Sequence, residues 1–216
     1  PSDDIIKLVF PKSNGDTDVL NVHRGTLCKS SSFYRKAMQS EWTKLREQPD
    51  VMQLRYEDVA VVKDYIRWLY SNNISITSNE AAYATVEKRA EEAEKVFVWL
   101  AESYVYGEQI LDIDYKNAVM KAIFETQKKF NWNMGPASVR IVYEGTPSVS
   151  PLRRLIAERI ARSAYDDSKS DVGWMHFVDD YPREALVDAL KMTIQVRDRP
   201  KGGFVYDVSP YLEEKE

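Results

Sequence analysis

The chain has 216 residues, enough for one domain or one domain plus an appendage, and its 44% apolar and 12% aromatic content can bury a sizeable core. Charged residues reach 30% but sum to only −4, which argues against nucleic acid as the main partner, because neutralising phosphates takes a concentrated basic face. One cysteine makes no intramolecular disulfide and fits a reducing compartment, nucleus or cytoplasm, and no apolar run approaches the roughly 20 residues of a membrane span.

No charged-then-apolar secretory signal opens the chain; it starts at Pro1, so a fragment of a longer protein is expected. Residues 5–10 (IIKLVF) predict a strand apolar on both sides except at Lys7, as suits a strand covered on both faces. Pro11 stops it, and Asn14-Gly15-Asp16 is a turn sequence leading by a hairpin into a second strand over residues 19–24. At Gly25 a helical pattern takes over with Leu27 and Cys28. The serines at 30–32 then punctuate it as helix caps do, and Phe33, Ala37 and Met38 recur at helical spacing. Residues 51–56 (VMQLRY) alternate as a third strand.

Asp58 is a good cap for an apolar helix running to Tyr70, which Asn72-Asn73 ends; Ile74 and Ile76 suggest a short fourth strand. Residues 87–95 (EKRAEEAEK) are the solvated first turns of a long helix whose stripe is Ala93, Phe97, Leu100, Tyr104, Gly107 and Leu111. Gly107 there would let another backbone come close. Asp112 caps the next helix, with Tyr115, Val119, Ala122 and Thr126 inward.

Residues 131–138 (NWNMGPAS) have linker composition, and everything beyond is helical apart from the ambiguous stretch 139–145. Ser150-Pro151 is a cap followed by a first-turn proline. In residues 152–164 the pattern turns Leu152, Leu155, Ile156 and Ile160 inward, with Arg153, Arg154, Glu158, Arg159 and Arg162 mostly outward. Pro182 opens a last helix with Ala185, Leu186, Ala189, Leu190 and Thr193 inward, and from Arg197 on no period remains. The expected division is 1–130, a mixed domain; 131–197, a helical extension; and 198–216, a flexible tail.

Sites of chemistry are hard to find. His23 with Cys28 is the only Cys/His pair, and Cys28 follows Leu27 in what reads as a buried helix turn, where cysteine is packing material. Two histidines and one cysteine give no zinc spacing. Asp166, Asp167 and Asp171 lack the glycine and terminal glutamate of a calcium loop, and no glycine-rich phosphate loop precedes a helix. The arginines at 153–162 are interleaved with Glu158, which favours a solvated face over phosphate contact. Trp42, in the polar run QSEWTKLREQ, has no apolar period around it and is either a lid on the core or a contact point. No enzyme activity and no cofactor are expected.

Residues 22–38 (VHRGTLCKSSSFYRKAM), Asp58 with YIRWLY at 65–70, and LAESYVYGEQILDIDYKNAV at 100–119 together resemble the BTB/POZ domain, and more narrowly the BTB proteins of filamentous fungi. RIVYEGTPSVSPLRRLI at 140–156 is similar to the region that follows the domain in that group. The resemblance implies an α+β fold, a small sheet flanked by helical hairpins, whose work is protein–protein association. Many members form homodimers and some link substrates to cullin ubiquitin-ligase scaffolds. It implies that Asp4 and Arg24 match the acidic–basic pair of dimeric members. Cullin-binding members carry an apolar residue, any residue, then glutamate; here the matching place is Trp42-Thr43-Lys44, so an ammonium replaces the carboxylate. Such a reversal turns a complementary pair into a repulsive one and argues against a cullin partner.

Overall fold

The computed structural model describes residues 4–12, 15–55, 57–76, 85–165 and 173–197. It is a mixed α+β structure, mostly helical, with one small sheet of three strands. Strand β1 (Ile5–Pro11) lies in the middle. It pairs antiparallel with β2 (Thr17–His23), Leu8 opposite Leu20, and parallel with the short β3 (Val51–Gln53), Leu8 opposite Met52. Gly15 turns the hairpin at a φ of +87°, a conformation glycine adopts without a Cβ penalty.

One expectation for β1 fails. Ile6, Leu8 and Phe10 are buried, but Ile5 on the other face is 43% exposed and Lys7 is exposed as well. In a hairpin with a single covered face, the second apolar row stays at the surface. The third strand is also shorter than residues 51–56: its ladder ends at Gln53, although the Leu54 N–H still donates to the Val9 carbonyl at 2.8 Å. Tyr56 lies outside the described residues. Ile74 and Ile76 form no strand; both are half-buried against the core in an irregular segment, so their alternation reflects packing without a ladder.

Between β2 and β3 lie α1 (Arg24–Ser30), α2 (Ser32–Ala37) and α3 (Ser40–Thr43). The buried Ser31 hydroxyl accepts from Tyr34 N–H and caps α2, as the serine run predicts, while donating to the Ile110 carbonyl at 2.6 Å. Helix α4 (Val59–Ser71) is capped by Asp58 and ends on Asn72 in the left-handed region, φ +52°. Its Val62, Tyr65 and Trp68 are core.

Helices α5 (Val86–Gln109) and α6 (Ile113–Phe130) pack as a pair. Leu111, expected on the α5 stripe, instead adopts φ +54° in the three-residue break and is half exposed. Gly107 allows the close approach read from its place on the stripe: a Cβ there would sit 2.8 Å from Lys116 Cγ in the first turn of α6.

Beyond α6 the expected linker is short. α7 (Pro136–Gly145) already starts at Pro136, so residues 139–145 are helical, and α7 packs along α5. A Cβ on Gly145 would meet the Val105 side chain at 2.5 Å, which shows how close the two helices come. α8 (Pro151–Ser163), α9 (Trp174–Phe177), a 3-10 turn (Val178–Asp180) and α10 (Arg183–Val196) are the remaining elements among the described residues, and α10 packs on α8.

Three expectations here are corrected. Ser150 precedes α8, but its hydroxyl is buried, has no hydrogen-bond partner among the described residues and caps nothing. Arg153 is buried, because the C-terminal carbonyls of α7 need its N–H groups. Leu190 is 62% exposed, since only Ala185 and Ala189 of α10 sit fully inside. The acidic stretch 166–171 and the tail 198–216 lie outside the described residues.

Candidate protein-interaction surface

The segment from the end of α2 to β3 carries the features the sequence singles out. α2 closes with two carbonyls, Ala37 and Met38, that the helix itself leaves without partners. Two arginines meet them. Arg24 Nη2 donates to the Met38 carbonyl at 2.6 Å, and Arg46 Nη2 donates to the Ala37 carbonyl at 2.8 Å. Arg46 Nη1 also lies 3.7 Å from Met38 Sδ. Basic side chains favour such helix ends both by hydrogen bonding and by charge.

Arg24 does a second job. Its N–H donates to the Asp4 carbonyl at 2.8 Å, and its Nη1 stands 4.0 Å from Asp4 Oδ2, so the approach to β1, the start of α1 and the end of α2 meet at one side chain. The pair is half open to solvent, Asp4 at 66% and Arg24 at 38%. An exposed ion pair of this kind contributes little to stability, about 0–1 kcal/mol.

Held by this clamp, α3 presents Trp42 at 57% exposure and, three residues on, Leu45 at 79%. Trp42 is therefore a projecting side chain and no lid on the core. Lys44 ends α3, its N–H bonded to the Ser40 carbonyl. Of the four residues expected at the surface site, Asp4 and Arg24 touch directly, and Trp42 and Lys44 belong to the segment their clamp supports. Sequence reasoning missed Arg46 and Leu45. The available signal for Arg46 was a basic residue shortly after an apolar helix, which becomes informative only once the helix end is known.

His23 and Cys28 each contact a tyrosine. His23 Nδ1 lies 2.7 Å from the Tyr70 hydroxyl, which also accepts from the His23 N–H at 3.0 Å, whereas Cys28 Sγ lies 3.7 Å from the Tyr34 carbonyl. Behind the surface is a buried hydroxyl–carboxylate network. Asp112 caps α6 through Tyr115 N–H and accepts from Ser30 and Tyr65, and the Tyr34 and Tyr106 hydroxyls meet at 2.6 Å. Burial pushes Tyr34, Tyr65 and Tyr106 well above the ordinary tyrosine value. These groups tie α1, α2, α4, α5 and α6 together, and all but the half-buried Ser30 are closed to solvent. Among the described residues no three His, Cys, Asp or Glu side chains converge to hold a metal ion, and no helix is long and apolar enough to cross a membrane. No family model matches the chain, and no curated protein matches it.

Proposed function

We propose that the chain is a BTB/POZ-type interaction module that binds protein, a second copy of itself or another partner, with no catalysis of its own. The observation that carries this reading is the projecting Trp42–Leu45 pair on a segment fastened at two points by Arg24 and Arg46. A large apolar pair on a rigid support is what interface anchors use, because little ordering entropy is lost on binding. The α+β order of a small sheet followed by helical pairs is compatible with the resemblance noted in the sequence.

Light scattering of the purified chain from micromolar to near-millimolar concentration tests self-association: a mass of twice 25.0 kDa is expected for a homodimer. Trp42→Ala should weaken association with whichever partner is bound by about tenfold or more, the scale of an interface hot spot, with an unchanged circular dichroism spectrum. A chain that stays monomeric and retains nothing from native extract in a Trp42-dependent way would defeat the proposal.

A cullin-adaptor role is the second reading, favoured by one observation, the exposure of Trp42 at the apolar position of the motif. Lys44 opposes it. Micromolar binding to a cullin, lost in Trp42→Ala, would establish it over the leading reading.

A further inference from the structure

The outward side of α10 carries an apolar row left open among the described residues. Ala185 and Ala189 hold the helix to its neighbours, and on the other side Val187, Leu190 and Ile194 follow one another at steps of three and four. All three are exposed, Leu190 at 62% and Ile194 at 69%. Along the same helix the connection between α7 and α8 leaves a recess of about 620 Å3, lined by Ser148, Arg183, Glu184, Val187, Asp188 and Lys191. Val149, next to Ser148, is exposed as well. Single apolar side chains are scattered over any protein surface, but a row of three along one helix, with a fourth next to the recess, marks a contact face. Charges frame the row. Glu184 and Lys191 lie seven residues apart, about two turns, and so share one flank. Glu184 meets Arg153 and Lys191 stands 3.3 Å from Asp188, yet 56% and 68% of their side-chain surfaces stay open.

We propose that this face binds a second copy of the chain, α10 against α10 in antiparallel sense about a two-fold axis. The pattern selects that occupant because it complements its own reverse. With Val187 of each copy against Leu190 of the other, Ile194 reaches the aliphatic stem of the other copy's Arg183. In the same register Glu184 of each copy stands about 3 Å along the axis from Lys191 of the other, within reach of two long side chains. The two-fold axis makes that pair twice. A parallel copy would set Glu184 beside Glu184 and Lys191 beside Lys191, and flanking charges of like sign disfavour that orientation. One helix face is a small interface, below the roughly 1,200 Å2 of stable complexes, so the dimer is a weak one. The inference rests on the chain being an interaction module and gives that module a contact on a different element from Trp42.

The test is sedimentation of the full chain from micromolar to near-millimolar concentration, in wild type and in variants at exposed positions. The wild-type mass should rise toward twice 25.0 kDa. Leu190→Glu, which sets a carboxylate into the apolar row of each copy, should weaken the dimer about a hundredfold or more with an unchanged circular dichroism spectrum. Lys191→Glu should weaken it about tenfold, and Lys191→Arg should leave it as it was. Orientation is read with a short bismaleimide in a Cys28→Ser background. In the reversed pair the two copies of residue 190 stand about 5 Å apart along the axis and those of residue 194 about 16 Å. Leu190→Cys should therefore be joined, and the comparably open Ile194→Cys should not. Joining of both or of neither, or a dimer unmoved by Leu190→Glu, would overturn the proposal. A chain that stays monomeric throughout would do the same, whether residues 198–216 or another protein holds the face. A dimer lost in Trp42→Ala and unmoved by Leu190→Glu would overturn this inference and leave the reading of Trp42 standing. A dimer that survives Trp42→Ala and is lost in Leu190→Glu would support it and take self-association away from Trp42.

Discussion

Glu94 helps to join the first and second parts of the chain. It projects from α5 and caps α7 from outside: its carboxylate accepts from Gly135 N–H at 2.8 Å, Ser138 N–H at 2.9 Å and the Ser138 hydroxyl at 3.2 Å. A Cβ on Gly135 would lie 2.7 Å from that carboxylate, so a side chain there would displace the carboxylate and break the cap. Burial pushes the Glu94 carboxyl above its ordinary value, and the hydrogen bonds from Ser138 and Gly135 only partly oppose this. An acid whose folded value is raised is relatively better off protonated in the fold, so its contribution is fully present below the ordinary carboxylate value and is lost as pH rises through the raised one. Glu94→Gln removes the titration but keeps the shape. Urea unfolding of both proteins should therefore show the wild type gaining on the variant as pH is lowered from neutral into the carboxylate range. A difference that shrinks on acidification would mean that the hydrogen bonds outweigh desolvation. At neutral pH, Glu94→Ala should cost about 1–2 kcal/mol, the worth of a helix cap.

At the scale of elements, the joints are made by single side chains at helix ends, and some were legible. Asp58, Asp112 and Asn72 announce their caps by residue type and position, and each caps as expected. The apolar period located α4, α5 and α6 closely, and Trp42 stood out because no period surrounded it. Arg153 was not legible. A helical wheel sorts residues by face, but it does not know that the neighbouring helix ends in carbonyls on that face. Arg153 is 6% exposed and donates to the Tyr143 and Thr146 carbonyls, to Thr146 Oγ1 at 3.1 Å and to Glu184 at 2.8 Å, with the Tyr143 ring 4.6 Å away. It thus locks α7, α8 and α10 together. Ser150 and Leu190 fail for the complementary reason: the local pattern suits a cap or a core position, but among the described residues no partner stands there. Arg153→Ala should destabilise by about 3 kcal/mol or more, because it strands buried acceptors. Arg154→Ala, one step along on the exposed face, should stay within about 0.5 kcal/mol. Comparable losses in thermal or urea unfolding would refute the lock.

At the scale of the whole molecule, the question is whether the expected boundary near residue 130 divides anything. α7 lies along α5 and Glu94 caps it, so the extension is fastened to the first part along a helix and at that helix's end. Tyrosines report on both sides of that boundary. Burial pushes Tyr115 up to about 12 and raises Tyr34, Tyr65 and Tyr106 well above the ordinary value on one side, and Tyr143 and Tyr181 on the other. Neighbouring carboxylates add to the shift: Asp112 beside Tyr65, Asp188 beside Tyr143 and Glu94 near Tyr181. Raised phenol values stabilise the fold below the ordinary tyrosine value, and that stability is lost as pH rises through the folded values. Alkaline titration followed at the tyrosinate absorbance should thus show these buried tyrosines ionising in one steep step, coincident with loss of helix by circular dichroism. If residues 131–197 come away first, Tyr143 and Tyr181 will ionise in a separate, earlier step while the Tyr34–Tyr106 pair stays protonated. The shared cap at Glu94 predicts the single step, and Glu94→Ala should be the change that splits it in two.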